Sequence, residues 1–223
     1  MTVFEINKVC SEEIQQKSKK RFFVCLTGMP GAGKSSVADS LKERGFYVIS
    51  MGDVVRDEAK FQNMEITDTN LGNLMLKLRK EMGPGAISHL LIKKTRCEDN
   101  NFAQIVIIDG IRSIHEVEVL RNIGNVKLLA IHASAETRFK HIKQRARSDR
   151  PLNEKDFVVR DKRELTVGIS EAIALSDESI SNNNLTIEEL KEKAYEIIQR
   201  WSSMNDTETI TNNFNQTEQN CIK

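Results

Sequence analysis

The stretch Gly28-Met-Pro-Gly-Ala-Gly-Lys34-Ser35 decides how the rest of the chain is interpreted. It matches G-x-x-x-x-G-K-[ST], the pattern of a loop that cradles nucleoside phosphates. The apolar run Phe22–Thr27 precedes it, and a helical pattern with Val37, Ala38 and Leu41 follows it. Glycines let the backbone curl so that several N–H groups converge on phosphate oxygens, and the start of a helix adds partial positive charge. The context therefore predicts a strand, a phosphate-binding loop and a helix in succession.

The loop provides the first candidate binding residues. Lys34 is long enough to reach the β- and γ-phosphates of ATP, and the Ser35 hydroxyl is a ligand that Mg²⁺ accepts. The predicted ATP-binding residues are Gly28, Met29, Pro30, Gly31, Ala32, Gly33, Lys34, Ser35 and Ser36. This motif predicts a nucleoside triphosphate with magnesium and leaves the reaction open.

Further apolar runs predict the remaining strands. They are Phe46–Ser50, Gln104–Asp109, Val126–His132 and a weaker run at Glu178–Ser181. Their near-continuous apolarity is typical of strands covered on both faces, as in a parallel sheet. Helical patterns alternate with them, so we expect an α/β protein: a three-layer P-loop NTPase fold around a parallel five-stranded sheet.

Helix signals and composition set the expected boundaries. Ser113–Glu116 and Thr186–Glu189 both fit a capping box. The second box opens an apolar stripe: Ile187, Leu190, Ala194, Ile197, Ile198 and Trp201. We expect a polar N-terminal extension at 1–20, a kinase-like domain at 21–201 and a disordered tail at 202–223.

Composition excludes several classes of function. Among 223 residues, 33 basic and 32 acidic side chains nearly cancel, which argues against a nucleic-acid-coating surface. No run of apolar residues is long enough to span a membrane, and no signal peptide is indicated. The four cysteines form no C-x-x-C pair, and Cys25 is expected to be a small buried hydrophobe. A cytoplasmic protein is the expectation.

Polar groups follow two of the predicted strands. They lie in Ile49–Arg56 and Ile108–Arg112, where ligands bind in open α/β sheets. Asp109 beside a phosphate loop is suited to hold Mg²⁺ through water. Arg56 and Arg112 are candidates for binding a second phosphate.

These segments together resemble the adenylate-kinase group of nucleoside monophosphate kinases. Ile49–Arg56 is similar to the family's I-S-T-G-D-x-L-R, which implies that Arg56 grips an acceptor monophosphate and that Asp53 orients the acceptor. Asp109–Arg112 is similar to D-G-F-P-R with one residue missing before Arg112. The resemblance also implies a helical acceptor-binding insert at about 52–97.

The sequence departs from that family in two places. Met51 replaces the threonine that helps to hold the acceptor base, and His115-Glu-Val-Glu118 replaces the region that reads adenine. The two carboxylates suit either a base edge with N–H donors or a solvated helix surface, and we expect the solvated surface. Residues 22–200 also resemble an archaeal branch of adenylate-kinase-related P-loop proteins. Ala174–Asn182 and the following Glu188–Leu190 are similar to the end of dephospho-CoA kinases.

A basic region at about 138–165 resembles the short lid of these kinases. Arg138, His141 and Arg145 share one helical face, and Arg160 and Arg163 follow in the next helical pattern. The resemblance implies that lid arginines close over the transferring phosphoryl group, with Lys34, Arg145 and Arg147 neutralising its developing charge. A solvated basic helix and an RNA-binding patch are the alternatives.

We therefore expect an ATP-dependent phosphotransferase, with Mg²⁺ as cofactor, that acts on a small nucleotide-like acceptor. Lys34, Arg145, Arg147 and Asp53 are the candidate catalytic residues. Asp53, Arg56 and Arg112 are the candidate acceptor-binding residues, and Ser35 and Asp109 the candidate magnesium residues. For a hydroxyl acceptor, as in dephospho-CoA kinases, Asp53 is the candidate base. An ATP-hydrolysing switch or assembly factor with a protein or RNA partner is the rival, and the oligomeric state is open.

Overall fold

The computed structural model describes residues 21–97, 105–144 and 153–220. A parallel sheet of five strands in the order β2-β3-β1-β4-β5 forms the centre of the domain. Its strands are β1 (Arg21–Thr27), β2 (Tyr47–Ser50), β3 (Ile105–Ile111), β4 (Gly124–His132) and β5 (Glu178–Ser181). Each lies within two residues of a predicted strand, so the predicted α/β P-loop fold is confirmed.

Helices connect the strands and cover both faces of the sheet. They are α1 (Lys34–Glu43), α2 (Met51–Phe61), α3 (Asp68–Met82), α4 (Ala86–Cys97), α5 (Ile114–Arg121), α6 (Ala135–Gln144), α7 (Glu154–Val167), α8 (Ile169–Ala174) and α9 (Ile187–Asn220). Helices α2, α3 and α4 occupy the predicted insert between β2 and β3. No helix within the described ranges is long and apolar enough to span a membrane.

The period-two alternation of β1 divides the buried side chains into two cores. Phe22, Val24 and Leu26 pack on one face against α1 and α9. Phe23 and Cys25 pack on the other face, with the insert helices. Burial of Cys25 is complete, as predicted, and it raises the pKa of the thiol far above its usual range because the thiolate would lose its solvation.

The strand ends meet at one edge of the sheet and position the site. Ser50 of β2 pairs with Asp109 of β3, and Asp109 pairs with Leu26 near the end of β1. The register shifts after Asp109, where Gly110 has a φ of 96° that favours glycine. Three strands therefore deliver their carboxyl ends to the same place as the loop that follows β1.

The last helix differs from the prediction. Helix α9 continues to Asn220, beyond residue 202, from which a disordered tail was predicted. The capping box predicted at Thr186–Glu189 is present: the Thr186 N–H donates to Glu189 Oε2 (2.8 Å) and the Glu189 N–H donates to Thr186 Oγ1 (3.2 Å). Once a helix is nucleated, each added residue costs little, so polar residues extend it. Within the stripe, Ile187 is largely exposed, whereas Leu190, Ala194, Ile198 and Trp201 are buried.

Candidate active site

The loop after β1 approaches its neighbours too closely for any side chain at two of its glycines. A Cβ at Gly28 would lie 2.1 Å from the Ile131 carbonyl oxygen, and one at Gly31 would lie 2.6 Å from that of Arg138. Both residues also have φ values, 141° and 84°, that favour glycine. The loop ends where α1 begins at Lys34, and Lys34 and Ser35 of the first turn line the cavity above the strand ends, where the start of the helix adds partial positive charge.

Lys34 and Ser35 take the positions that the motif predicts. The ammonium group of Lys34 donates to the carbonyl oxygens of Gly28 (2.5 Å) and Met29 (3.1 Å), which holds the side chain across the loop. The Ser35 hydroxyl lies 3.4 Å from Asp109 Oδ2. A hydroxyl and a carboxylate oxygen at this separation are hard oxygen donors, which fit Mg²⁺ and its bound waters. The predicted magnesium pair is thus brought together.

Side chains that follow β5 and side chains of α6 hold the loop, among them His141, whose Nδ1 lies 2.9 Å from the carbonyl oxygen of Gly31. Asn182, buried just after β5, donates from Nδ2 to the carbonyl oxygen of Ala32 (2.9 Å). Arg138 of α6 donates from Nη1 to the carbonyl oxygen of Pro30 (3.1 Å). The sequence indicated Asn182 only as part of the segment similar to dephospho-CoA kinases.

Arg138, which the sequence analysis placed on the basic face of the lid region, makes structural contacts. Its side chain is 7% exposed and forms a forked ion pair with Asp161 of α7, at 2.8 and 2.6 Å. Its guanidinium also stacks on Phe157, 5.0 Å from the ring centroid. Because every face of the group is engaged in packing, it joins α6, α7 and the loop instead of facing a phosphoryl group.

One cavity runs from the phosphate loop across the strand ends to α7. Its loop side includes Lys34, Ser35 and Asp109, and its far side includes Arg56, Arg112, Arg160 and Glu164. Both predicted acceptor arginines therefore face the same cavity as the predicted ATP-binding lysine. Arg145 and Arg147 lie outside the described residues, so their predicted roles stay predictions.

Asp53 does not line this cavity. Its carboxylate is largely exposed and pairs with Arg56, with 2.6 Å between Oδ1 and Nη1. Met51, where the segment departs from the family pattern, is buried in the core beneath the insert. The segment after β2 thus presents Arg56 to the cavity and turns Asp53 outward.

Arg112 occupies the junction between the sheet and the insert. Its Nε lies 3.2 Å from Glu164 Oε2, and its backbone N–H donates to Glu116 Oε2 (2.8 Å). Its Nη1 lies 2.8 Å from the sulfur of Met75. The shortened D-G-I-R segment therefore still delivers an arginine to the cavity.

Glu116 is fully buried, so the prediction of a solvated carboxylate is wrong for this residue. It forms an ion pair with Arg79 of α3, and burial raises the pKa of Glu116 and lowers that of Arg79 because each charge loses solvation. Glu118, in contrast, is exposed and pairs with His115. The capping box at Ser113 is also incomplete, because Glu116 accepts from the N–H of Arg112 instead of that of Ser113.

A second ion-pair group connects the insert to α7. Asp68, at the start of α3, lies 2.9 Å from Arg163 and 3.5 Å from Arg160. The Arg163 guanidinium lies so close to Gly72 that a Cβ there would be 2.4 Å from Nη1. Sequence reasoning missed this contact, because the partners are more than ninety residues apart.

Comparison with known proteins gives consistent results. Residues 27–157 match the family described as "AAA domain". A UPF0200 protein from Methanocaldococcus jannaschii is 45% identical over 157 residues, which cover 70% of this chain and 79% of the relative. A UPF0200 protein from Thermococcus kodakarensis is 37% identical over 183 residues, covering 79% and 98%.

Two solved structures share the fold at low sequence identity. TT1252 from Thermus thermophilus has a TM-score of 0.58 and 16% identity, covering 82% of this chain and 98% of that one. Shikimate kinase from Acinetobacter baumannii has a TM-score of 0.52 and 14% identity, covering 82% and 94%. At these identities the likeness concerns the fold alone.

Proposed function

Since the chain belongs to the UPF0200 family and carries an AAA domain of P-loop kinase-like fold, we propose that it is an ATP-dependent phosphotransferase, similar to nucleoside monophosphate kinases, that acts on a nucleotide-type acceptor. One observation carries the proposal. Lys34, with the phosphate loop, and the arginines Arg56 and Arg112 line a single cavity. A loop that only hydrolysed ATP would not need a second group of cations facing the first.

The loop side binds and orients ATP. Backbone N–H groups at the start of α1 hold the phosphate oxygens, and Lys34 moves from the loop carbonyls to the β- and γ-phosphates. The Ser35 hydroxyl would ligate Mg²⁺ directly, and Asp109 would hold a water bound to the ion. When bound, the ion neutralises charge on the β- and γ-phosphates.

The far side binds the acceptor. Arg56 and Arg112 hold its phosphate by charge-assisted hydrogen bonds, with one acceptor oxygen directed at the γ-phosphorus. That oxygen forms a bond to phosphorus as the bond from phosphorus to the leaving oxygen of ADP breaks. A phosphate acceptor is already anionic, so this step needs no strong base. Asp53 positions Arg56 from outside the cavity, and Arg145 and Arg147 neutralise charge on the transferred group.

The test is a panel of acceptors with ATP and Mg²⁺: AMP, CMP, UMP, GMP, dCMP and dephospho-CoA. We expect one of the monophosphates to yield ADP and phosphorylated acceptor in equal amounts. The Lys34→Ala variant should lose at least about 100-fold in rate, as expected when a preorganised charge on the transferring group is removed. Lys42→Ala, at an exposed position on α1, is the matched control and should keep the rate.

The acceptor side is tested by Arg56→Ala. We expect the KM for the acceptor to rise at least about tenfold, the loss of a charge-assisted hydrogen bond, with little change in the affinity for ATP. Phosphorylation of dephospho-CoA alone would instead assign a hydroxyl acceptor. Slow ATP hydrolysis that no acceptor stimulates would contradict the kinase proposal and favour the switch or assembly factor.

A further inference from the structure

Glu164 is a buried carboxylate whose hydrogen-bonding capacity is unused. Its side chain is 1% exposed, on the turn of α7 that lines the cavity. None of the described residues donates a hydrogen bond to either of its carboxylate oxygens. Buried polar groups in proteins are nearly always hydrogen-bonded, because burial without a partner is costly. This exception lies beside the two arginines assigned to the acceptor.

The contact with Arg112 does not supply the hydrogen bond that Glu164 lacks. Arg112 Nε lies 3.2 Å from Glu164 Oε2, which compensates the charge, but the alignment is not that of a hydrogen bond. Arg112 is itself 30% exposed, so solvent also stabilises its charge. The pair therefore balances charge at the edge of the cavity and leaves the carboxylate lone pairs available.

Glu116 shows what a structural carboxylate looks like in this protein. It is just as buried, but it accepts hydrogen bonds from the Arg79 side chain and from the Arg112 backbone. Glu116 faces the core between α3 and α5, whereas Glu164 faces the cavity. Both residues are glutamates with an arginine partner, so the difference in their hydrogen bonding comes from the groups that surround each carboxylate.

We propose that Glu164 binds the phosphoryl acceptor by accepting a hydrogen bond from a neutral donor group on it, a sugar hydroxyl or a base amino group. This inference rests on the proposed function and narrows its substrate class. The acceptor then presents an anionic phosphate to Arg56 and a hydrogen-bond donor to Glu164 at the same time. A site built to bond such a donor discriminates strongly against an analogue without it, because the buried carboxylate is then left unpaired.

The first test needs no acceptor. Glu164→Met and Glu116→Met replace each carboxylate with an unbranched apolar side chain in the ligand-free protein. We expect Glu164→Met to unfold at a temperature equal to or above that of the wild type, because an unsatisfied buried group is removed. Glu116→Met should lower the unfolding temperature by at least about 6 °C, because Arg79 is left buried without a partner. Equal losses in both variants would assign Glu164 a structural role and overturn the proposal.

The second test measures discrimination between matched acceptors. AMP is compared with 2′,3′-dideoxy-AMP, which lacks the sugar hydroxyls, and with IMP, which lacks the base amino group. In the wild type we expect kcat/KM to favour AMP at least about tenfold over one of these analogues, and that analogue identifies the donor. In Glu164→Met the preference should fall to within about threefold. The exposed carboxylate variant Glu171→Met should retain it.

The two proposals fail in different ways. If AMP is not phosphorylated but another monophosphate is, the same comparison is made with that nucleotide and its deoxy and deaminated analogues. Preference that survives in Glu164→Met, or no preference in the wild type, would overturn the role of Glu164 while leaving the kinase intact. Absence of any phosphorylated acceptor would overturn the proposed function, and with it the role of Glu164 as an acceptor contact.

Discussion

Replacing Arg138 with methionine tests whether this arginine is structural, as its contacts indicate. The guanidinium is buried and holds Asp161 in a forked ion pair, while also donating to the carbonyl oxygens of Pro30 and Ala133. Breaking a buried pair costs about 3–5 kcal/mol. We take about 3 kcal/mol, the lower end of this range, because the Asp161 side chain is 16% exposed and water can reach it once Arg138 is replaced. At roughly 2–4 °C per kcal/mol for a chain of this size, the unfolding temperature should fall by about 6–12 °C.

Calorimetry of the wild type and Arg138→Met measures this shift directly. Lys140→Met is the matched control, since Lys140 lies on the same helix but is 67% exposed and pairs with Glu136 at the surface. Its loss should change the unfolding temperature by less than about 2 °C, because exposed ion pairs contribute little. A shift of less than about 2 °C for Arg138→Met, together with lost phosphoryl transfer, would refute the structural role and return Arg138 to the lid.

Three further predictions concern other parts of the molecule. Asn182→Ala should weaken ATP binding about 5–10-fold in a titration, because the Ala32 carbonyl loses its buried hydrogen-bond donor and the phosphate-binding loop is held less firmly. An unchanged affinity for ATP would contradict the role of Asn182 in holding the loop. With the other three cysteines (Cys10, Cys97 and Cys221) changed to serine, native protein at pH 8 should not react with a thiol reagent until it unfolds, since burial raises the pKa of Cys25. Rapid labelling of the native protein would argue against complete burial of Cys25. Glu189→Gln should lower the unfolding temperature at pH 7 but not near pH 3. Hydrogen bonds from Thr186 lower the pKa of Glu189 in the folded state. The stabilisation of the fold by the ionised Glu189 is therefore present above the unfolded-state pKa and is lost as the pH falls through the folded-state pKa. A difference in unfolding temperature between the variant and the wild type that does not change with pH would contradict this.

The features predicted correctly from sequence depend on neighbouring residues. The five strands were predictable because each is a short apolar run bounded by turns, and the Thr186 box because its partners are three residues apart. The phosphate loop was predictable because its backbone shape demands glycine at fixed spacing. Arg112 also lines the cavity, since the end of β3 carries it there, and its role in binding the acceptor stays a prediction.

The features that sequence reasoning missed are charged side chains whose surroundings come from distant parts of the chain. Glu116 was expected in solvent and is buried against Arg79, 37 residues away. Arg138 was expected on the basic face of the lid region and is held by Asp161. Asp53 shares a helical turn with Arg56, yet the packing of α2 turns one outward and the other toward the cavity.

The sequence by itself determined the phosphate-binding loop, the succession of strands and helices along the chain, and the residue types available for phosphate chemistry. These follow from steric limits on the backbone and from apolar periodicity, which act over a few residues. The tertiary structure alone decided which charges are buried, which arginines face the cavity and that Glu164 lies there with no hydrogen bond from the described part of the chain. The reason is physical: the cost of desolvating a charge, and the partner that offsets it, depend on all the elements that pack around it.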